Sequence, residues 1–76
     1  MREIIPGKKY KHFKGNIYKV IDIVNDSETL EKIVIYEALY GEHTKWARPY
    51  KMFISEVDHQ KYPNITQKYR FEEIID

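Results

Sequence analysis

The chain has 76 residues, thirteen Lys and Arg against twelve Asp and Glu for a net charge of +1, and no Cys. That length holds a single small core, so residues 1–76 read as one domain, and disulfides and thiolate metal ligands are excluded. The longest apolar run, Ile33 to Tyr36, is four residues; a membrane span needs about 20 and a signal-peptide core about 7, so a cytoplasmic protein away from the membrane is expected.

Val, Ile, Thr, Tyr, Phe and Trp supply 29 residues, whereas Ala and Leu supply four. β-branched and aromatic side chains suit a pleated, half-buried surface, so the chain reads as all-β. Met1 to Lys9 is expected to be a loosely held lead-in carrying a Pro6-Gly7 turn. Tyr10 to Phe13 reads as a first short strand, and Lys14-Gly15-Asn16 turns the chain into a second strand over Ile17 to Val24. Tyr18 and Val20 share one face of that strand and Ile21 and Ile23 the other. Either the strand is central or a bulge near Val20-Ile21 switches the inward side. Asn25 to Thr29 is a polar loop. Lys32 to Tyr40 reads as a third strand with Val34, Tyr36, Ala38 and Tyr40 on one face. Gly41 to Lys45 is a hairpin loop into Trp46-Ala47-Arg48, which Pro49 ends because it lacks a ladder donor. Pro49 to Val57 reads as one short helical turn, Gln67 to Phe71 as the closing strand, and residues 72–76 as an acidic tail. Four or five short antiparallel strands and one short helical turn fit a small SH3-like barrel over about residues 7–71, because closure hides strand edges. Edges left open at Tyr10 to Phe13 or Gln67 to Phe71 could pair with a partner strand.

Tyr10-x-His12-Phe13-Lys14-Gly15-Asn16-x-Tyr18-x-Val20, Ser27-Glu28-Thr29-x-Glu31, Tyr36, Leu39-Tyr40-Gly41, Trp46-x-Arg48-Pro49, Met52-Phe53 and Arg70-Phe71 together give the chain a pattern that resembles the bacterial domain of unknown function family 1653. The likeness spans about Gly7 to Phe71 and implies an SH3-like β-barrel. It implies no activity, since none is assigned to the family. The chain departs from the family pattern at Asp26, where His is usual, and at Ala47, where Val is usual.

No motif identifies a substrate, so the candidate residues are weighed by their chemistry. With Ala47 in the core, strand alternation places Trp46 and Arg48 together on the opposite face. A flat ring beside a guanidinium suits a peptide or another protein, with His12, Tyr36 and Glu28 nearby. The competing packing has Trp46 capping the barrel and Arg48 paired with an acid such as Glu28. A second binding reading uses Lys11, Lys14, Lys45, Trp46 and Arg48 for RNA or single-stranded DNA, cations meeting phosphates while bases stack on rings. Against it, residues 1–20 carry six bases and one acid while residues 21–42 carry one base and six acids, and that acidic segment must lie close by. An enzyme using Ser27, Glu28 and His12 is the third class, but no base neighbours Ser27 along the chain. His12 is better explained as a buried imidazole that hydrogen-bonds a backbone carbonyl or Glu. The histidines lack the i, i+2 or i, i+4 spacing of a metal set, and with no closely spaced Gly pair a phosphate-binding loop is excluded. No catalytic residue, cofactor or metal is therefore expected, and the function that remains is a non-catalytic binding module.

Overall fold

The structure, a computed structural model, describes residues 3–75. The elements are β1 (Lys9–His12), β2 (Ile17–Asn25), β3 (Lys32–Ala38), β4 (Lys45–Pro49), the helical turn α1 (Tyr50–Phe53) and β5 (Phe71–Glu73). All strands join one antiparallel sheet in the order β4-β3-β2-β1-β5. Among the described residues, no helix is long and apolar enough to cross a membrane.

The register of β2 against β3 shifts between Val20 and Asp22, leaving Ile21 as the extra residue of a bulge. Strict alternation would turn Ile23 away from the side that holds Tyr18 and Val20; the extra residue restores it, and all three pack into the core. Gly15, at φ +106°, closes the β1–β2 turn by donating its N–H to the His12 carbonyl at 2.8 Å, a backbone region that glycine enters without steric cost. The turn between β2 and β3 is closed by Asp26, whose Oδ1 accepts the N–H groups of Glu28 and Thr29 at 2.8 and 3.2 Å. These two bonds hold the Asp26 carboxyl below the usual carboxylate range.

The core is built on Tyr10, Val20, Val34, Tyr36, Phe53 and Phe71. Phe53 of α1 and Phe71 of β5 stack with ring centroids 4.0 Å apart and planes 2° from parallel. Tyr10 and Tyr36 meet Phe53 edge-on, and Tyr18 and Tyr36 meet Phe71 edge-on. Arg48 of β4 also lies over the Phe71 ring, its Cζ 5.7 Å from the centroid. In a flat sheet β4 and β5 would stand roughly 19 Å apart, four strand spacings of about 4.8 Å. That contact between opposite edge strands requires the sheet to curl around its aromatic core.

Several expectations are corrected. The lead-in is not loose: Ile4 is buried in the core, its N–H bonds the Tyr50 hydroxyl at 3.1 Å, and Gly7 donates to the Val20 carbonyl at 2.8 Å. Met1 and Arg2 of the lead-in and Asp76 of the acidic tail lie outside the described residues. The third strand stops at Ala38: Leu39 makes one last bond to the Ile17 carbonyl, and the chain then reverses through Gly41 and His43, both at positive φ, with His43 donating to the Tyr40 carbonyl. Tyr40 instead shares a 2.7 Å hydroxyl contact with Tyr18. The closing strand is Phe71–Glu73 rather than Gln67 to Phe71. Residues 67–70 are drawn toward residues 55–57 by the bonds Val57 N–H to Lys68 and Arg70 N–H to Ser55, with a bridge between Glu56 and Tyr69. Gln67 touches β1 only through its side-chain amide, which donates to the Lys11 carbonyl at 2.9 Å; the strand ladder begins at Phe71, so Glu72 and Glu73 of the expected acidic tail pair in register with Lys11 and Tyr10. β1 consequently has a neighbour on each side, and the sheet's edges are β4 and β5.

Because Phe71 packs against the rings of Tyr18, Tyr36 and Phe53 and closes the sheet, Phe71→Ala is expected to destabilise the domain by about 3–5 kcal/mol. Urea unfolding checks it: the midpoint falls with little change in slope, and a loss under about 1 kcal/mol would contradict this account of the core.

Candidate functional site

Strand pairing decides where the β4 side chains go. Arg48 stands opposite Val34 and Trp46 opposite Tyr36, and directly opposed residues of an antiparallel pair share a face. Val34 and Tyr36 are buried, so Trp46 and Arg48 lie on the concave, core-facing side and Ala47 faces out, exposed. This reverses the expected placement, in which Ala47 was the inward residue. Trp46 nevertheless remains 52% exposed, because it sits toward the hairpin end of an edge strand rather than over the core. It does not cap the sheet.

Arg48 is held by two contacts: its Nε donates to the Tyr36 hydroxyl at 3.1 Å, and its guanidinium lies over Phe71. The expected neighbours Arg48 and Tyr36 are therefore brought together, by a direct hydrogen bond. His12, one strand beyond β5, joins them through Phe71, whose ring it meets edge-on at 4.9 Å. The His12 Nδ1 accepts the Lys14 backbone N–H at 3.1 Å, which assigns the proton of the neutral ring to Nε2. Burial against Phe13 and Phe71, then the charges of Arg48, Arg70 and Lys14, push the His12 pKa down to about 4.

His12 and Arg48 line a cleft of about 430 Å³ whose remaining walls are Phe13, Lys14, Asp58, Lys61, Tyr62 and Arg70. Arg70 is anchored as Arg48 is, its Nε donating to the Ser55 hydroxyl at 3.2 Å, and that hydroxyl donates in turn to the Met52 carbonyl at 2.6 Å. Lys14 and Lys61 hold their ammonium groups 5.7 and 5.5 Å from the Tyr62 ring centroid, within the range of cation–π attraction. Two guanidinium and two ammonium groups thus face a single carboxylate, Asp58, whose Oδ1 accepts the N–H groups of Gln60 and Lys61 in its own turn. Among the described residues the one ion pair is His43 with Glu37, at 3.9 Å, so none of the four cations is neutralised by a carboxylate within 4 Å. Such a concentration of unpaired positive charge beside the Phe13 and Tyr62 rings attracts anions.

Of the residues expected to form a site, His12, Lys14 and Arg48 line the cleft and Tyr36 supports Arg48 from beneath. Trp46, Lys11, Lys45 and Glu28 are not among its walls: Lys45 stands opposite Glu37 on the β3–β4 hairpin, Lys11 between Ile17 and Glu72, and Glu28 in the Asp26 turn. Arg48 is bound to Tyr36 rather than to Glu28. The triad of Ser27, Glu28 and His12 is not assembled either, since neither Ser27 nor Glu28 reaches the cleft that holds His12. Sequence reasoning missed Asp58, Lys61, Tyr62 and Arg70. The one available signal was Arg70-Phe71, an arginine beside the aromatic of a closing strand. Among the described residues no group of three or more His, Asp or Glu side chains could hold a metal ion.

Fold and cleft define a small all-β domain that gathers positive charge on the concave side of a curled sheet. The chain belongs to the family described as protein of unknown function DUF1653, whose profile matches residues 8–73. It is similar to a crystal structure of a DUF1653 protein from Bordetella bronchiseptica, with a TM-score of 0.76 and 26% sequence identity over 97% of this chain and 91% of that one. No match was found among curated proteins. The residues by which the chain resembles the family divide between the core, with Tyr10, Tyr36, Phe53 and Phe71, and the cleft, with His12, Arg48 and Arg70.

The lowered His12 pKa fixes the sign of a pH effect. Between its ordinary value of 6.5 and about 4 the unfolded chain binds a proton that the folded protein does not, so stability falls as pH drops through that window. Urea midpoints from pH 7 to pH 4 are expected to decline less steeply in His12→Gln than in the parent chain. Parallel declines would show that His12 titrates normally.

Proposed function

We propose that this chain is a non-catalytic binding module that holds an anionic group, presented by a protein or peptide, in the cleft between β1, β4 and the segment leading into β5. The observation that carries this reading is the convergence of Lys14, Arg48, Lys61 and Arg70 on one cleft with no carboxylate of the described residues within 4 Å of any of them. Arg48 and Arg70 are partly buried, and a bound anion supplies the counter-charge that no carboxylate of the described residues gives them. The absence of catalysis is supported by the cleft's chemistry: its walls contain no Ser or Thr, and the one imidazole lone pair is occupied by the Lys14 N–H. An SH3-like barrel is the reading of the architecture that we favour, supported by the contact of Arg48 with Phe71 across the curled sheet.

RNA or single-stranded DNA is the second reading, favoured by the two lysines placed over the Tyr62 ring at the rim. A compact cleft fits one anionic group better than a phosphodiester track, because Lys11 and Lys45, which would extend such a track, lie outside it.

Titration of isotope-labelled protein with pyrophosphate and with citrate tests the module reading. Shifts are expected to centre on Lys14, Arg48, Lys61 and Arg70 and to weaken severalfold between about 50 and 300 mM salt. Arg70→Gln is expected to lower the affinity about tenfold, the loss of one charge-assisted contact, while Trp46→Ala leaves it within about twofold. Shifts that avoid the cleft, or an affinity that depends on Trp46 and not on Arg70, would move the site elsewhere.

A further inference from the structure

Resting on the anion-binding reading of this cleft, we infer that the group it is built to take is a dianionic phosphate monoester, in preference to a carboxylate or a phosphodiester. The first support is the direction from which the donors come. His12 and Lys14 enter from β1 and its turn, Arg48 from β4, Lys61 from the Asp58 turn, and Arg70 from the residue before β5. A planar carboxylate is satisfied in its own plane by one guanidinium. Donors converging from four separate segments surround a volume, as the three terminal oxygens of a tetrahedral monoester require.

The second support is donor number. Arg48 and Arg70 each commit Nε to a protein hydroxyl. That commitment blocks the side-on fork through Nε and leaves the terminal Nη groups, which no protein oxygen engages among the described residues. With the two ammonium groups and the Nε2–H of His12, the cleft offers more N–H donors than the two oxygens of a carboxylate or the two unbridged oxygens of a diester can accept. The third support is charge. Four cations and Asp58 leave a formal excess of three positive charges, which a ligand near −2 offsets better than one at −1. His12, kept neutral by its surroundings, contributes a donor without adding charge.

Fluorescence of Trp46, the chain's single Trp and two residues from Arg48, together with labelled-protein titration, reads the test in the full chain. Phosphoserine and adenosine 5′-monophosphate are titrated beside dimethyl phosphate and acetate, with pyrophosphate as the control for the cleft itself. Either monoester is expected to bind at least about tenfold more tightly than the diester and acetate at pH 7.5. It should lose most of that advantage at pH 5, because the second phosphate ionisation lies near pH 6. The tighter of the two monoesters identifies the source, an amino-acid or a nucleotide phosphate. Arg48→Lys, which keeps the charge but loses the paired Nη donors, should weaken monoester binding severalfold while amide dispersion stays native. If dimethyl phosphate or acetate binds as tightly as the monoesters while pyrophosphate still binds, the phosphate inference is overturned and the anion site stands. If pyrophosphate also fails to bind, both readings fall.

Discussion

Everything distinctive about this small domain is arranged around the stacked rings of Phe53 and Phe71. One ring comes from the helical turn after β4 and the other from the last strand, so their contact ties the end of the chain to its middle and draws the edges of the sheet toward each other. Tyr10, Tyr18 and Tyr36 then pack edge-on against one ring or the other, the arrangement that the quadrupoles of aromatic rings favour. A chain of 76 residues has little apolar area with which to oppose conformational entropy. Concentrating large rings at one point gives it a core that few aliphatic side chains could supply.

Two of the same rings, Tyr36 and Phe71, hold cleft residues in place from the core side. Arg48 lies over Phe71 and bonds Tyr36, and His12 meets Phe71 edge-on. Core and cleft are thus joined through the contacts of Tyr36 and Phe71 with Arg48 and His12, and burial against those rings sets the charge state of His12. A partly buried imidazole beside arginines stays neutral, whereas guanidinium groups, which cannot lose their protons, must remain charged. Segregation of acidic residues keeps those charges available. The acids of residues 21–42 occupy the β2–β3 turn, the strands and the β3–β4 hairpin, and none of them is a wall of the cleft.

Local chemistry made much of the fold legible. The β-branched and aromatic composition, the bulge near Val20-Ile21 and the turn at Gly15 each follow from rules that act within a few residues, and each is present. The closing strand was misplaced because Gln67 to Phe71 and Phe71 to Glu73 are comparable as local patterns. What separates them is the bonding of residues 67–70 to Ser55 and Val57, a long-range contact. The face of Trp46 was misread for a related reason. Alternation says only that Trp46 and Arg48 lie opposite Ala47, and the partner strand decides which side is buried.

The sequence by itself determined an all-β domain with a short helical turn, its family, and the presence of His12 and Arg48 among the residues that matter, because periodicity, turn chemistry and motif spacing are local properties. Tertiary structure alone decided that Arg70 and Lys61, 22 and 13 positions beyond Arg48, share its cleft, and that Trp46 and Glu28 do not. Charges that are distant along the chain meet only when the sheet curls, and that curl is set by the packing of rings from four different strands and the helical turn.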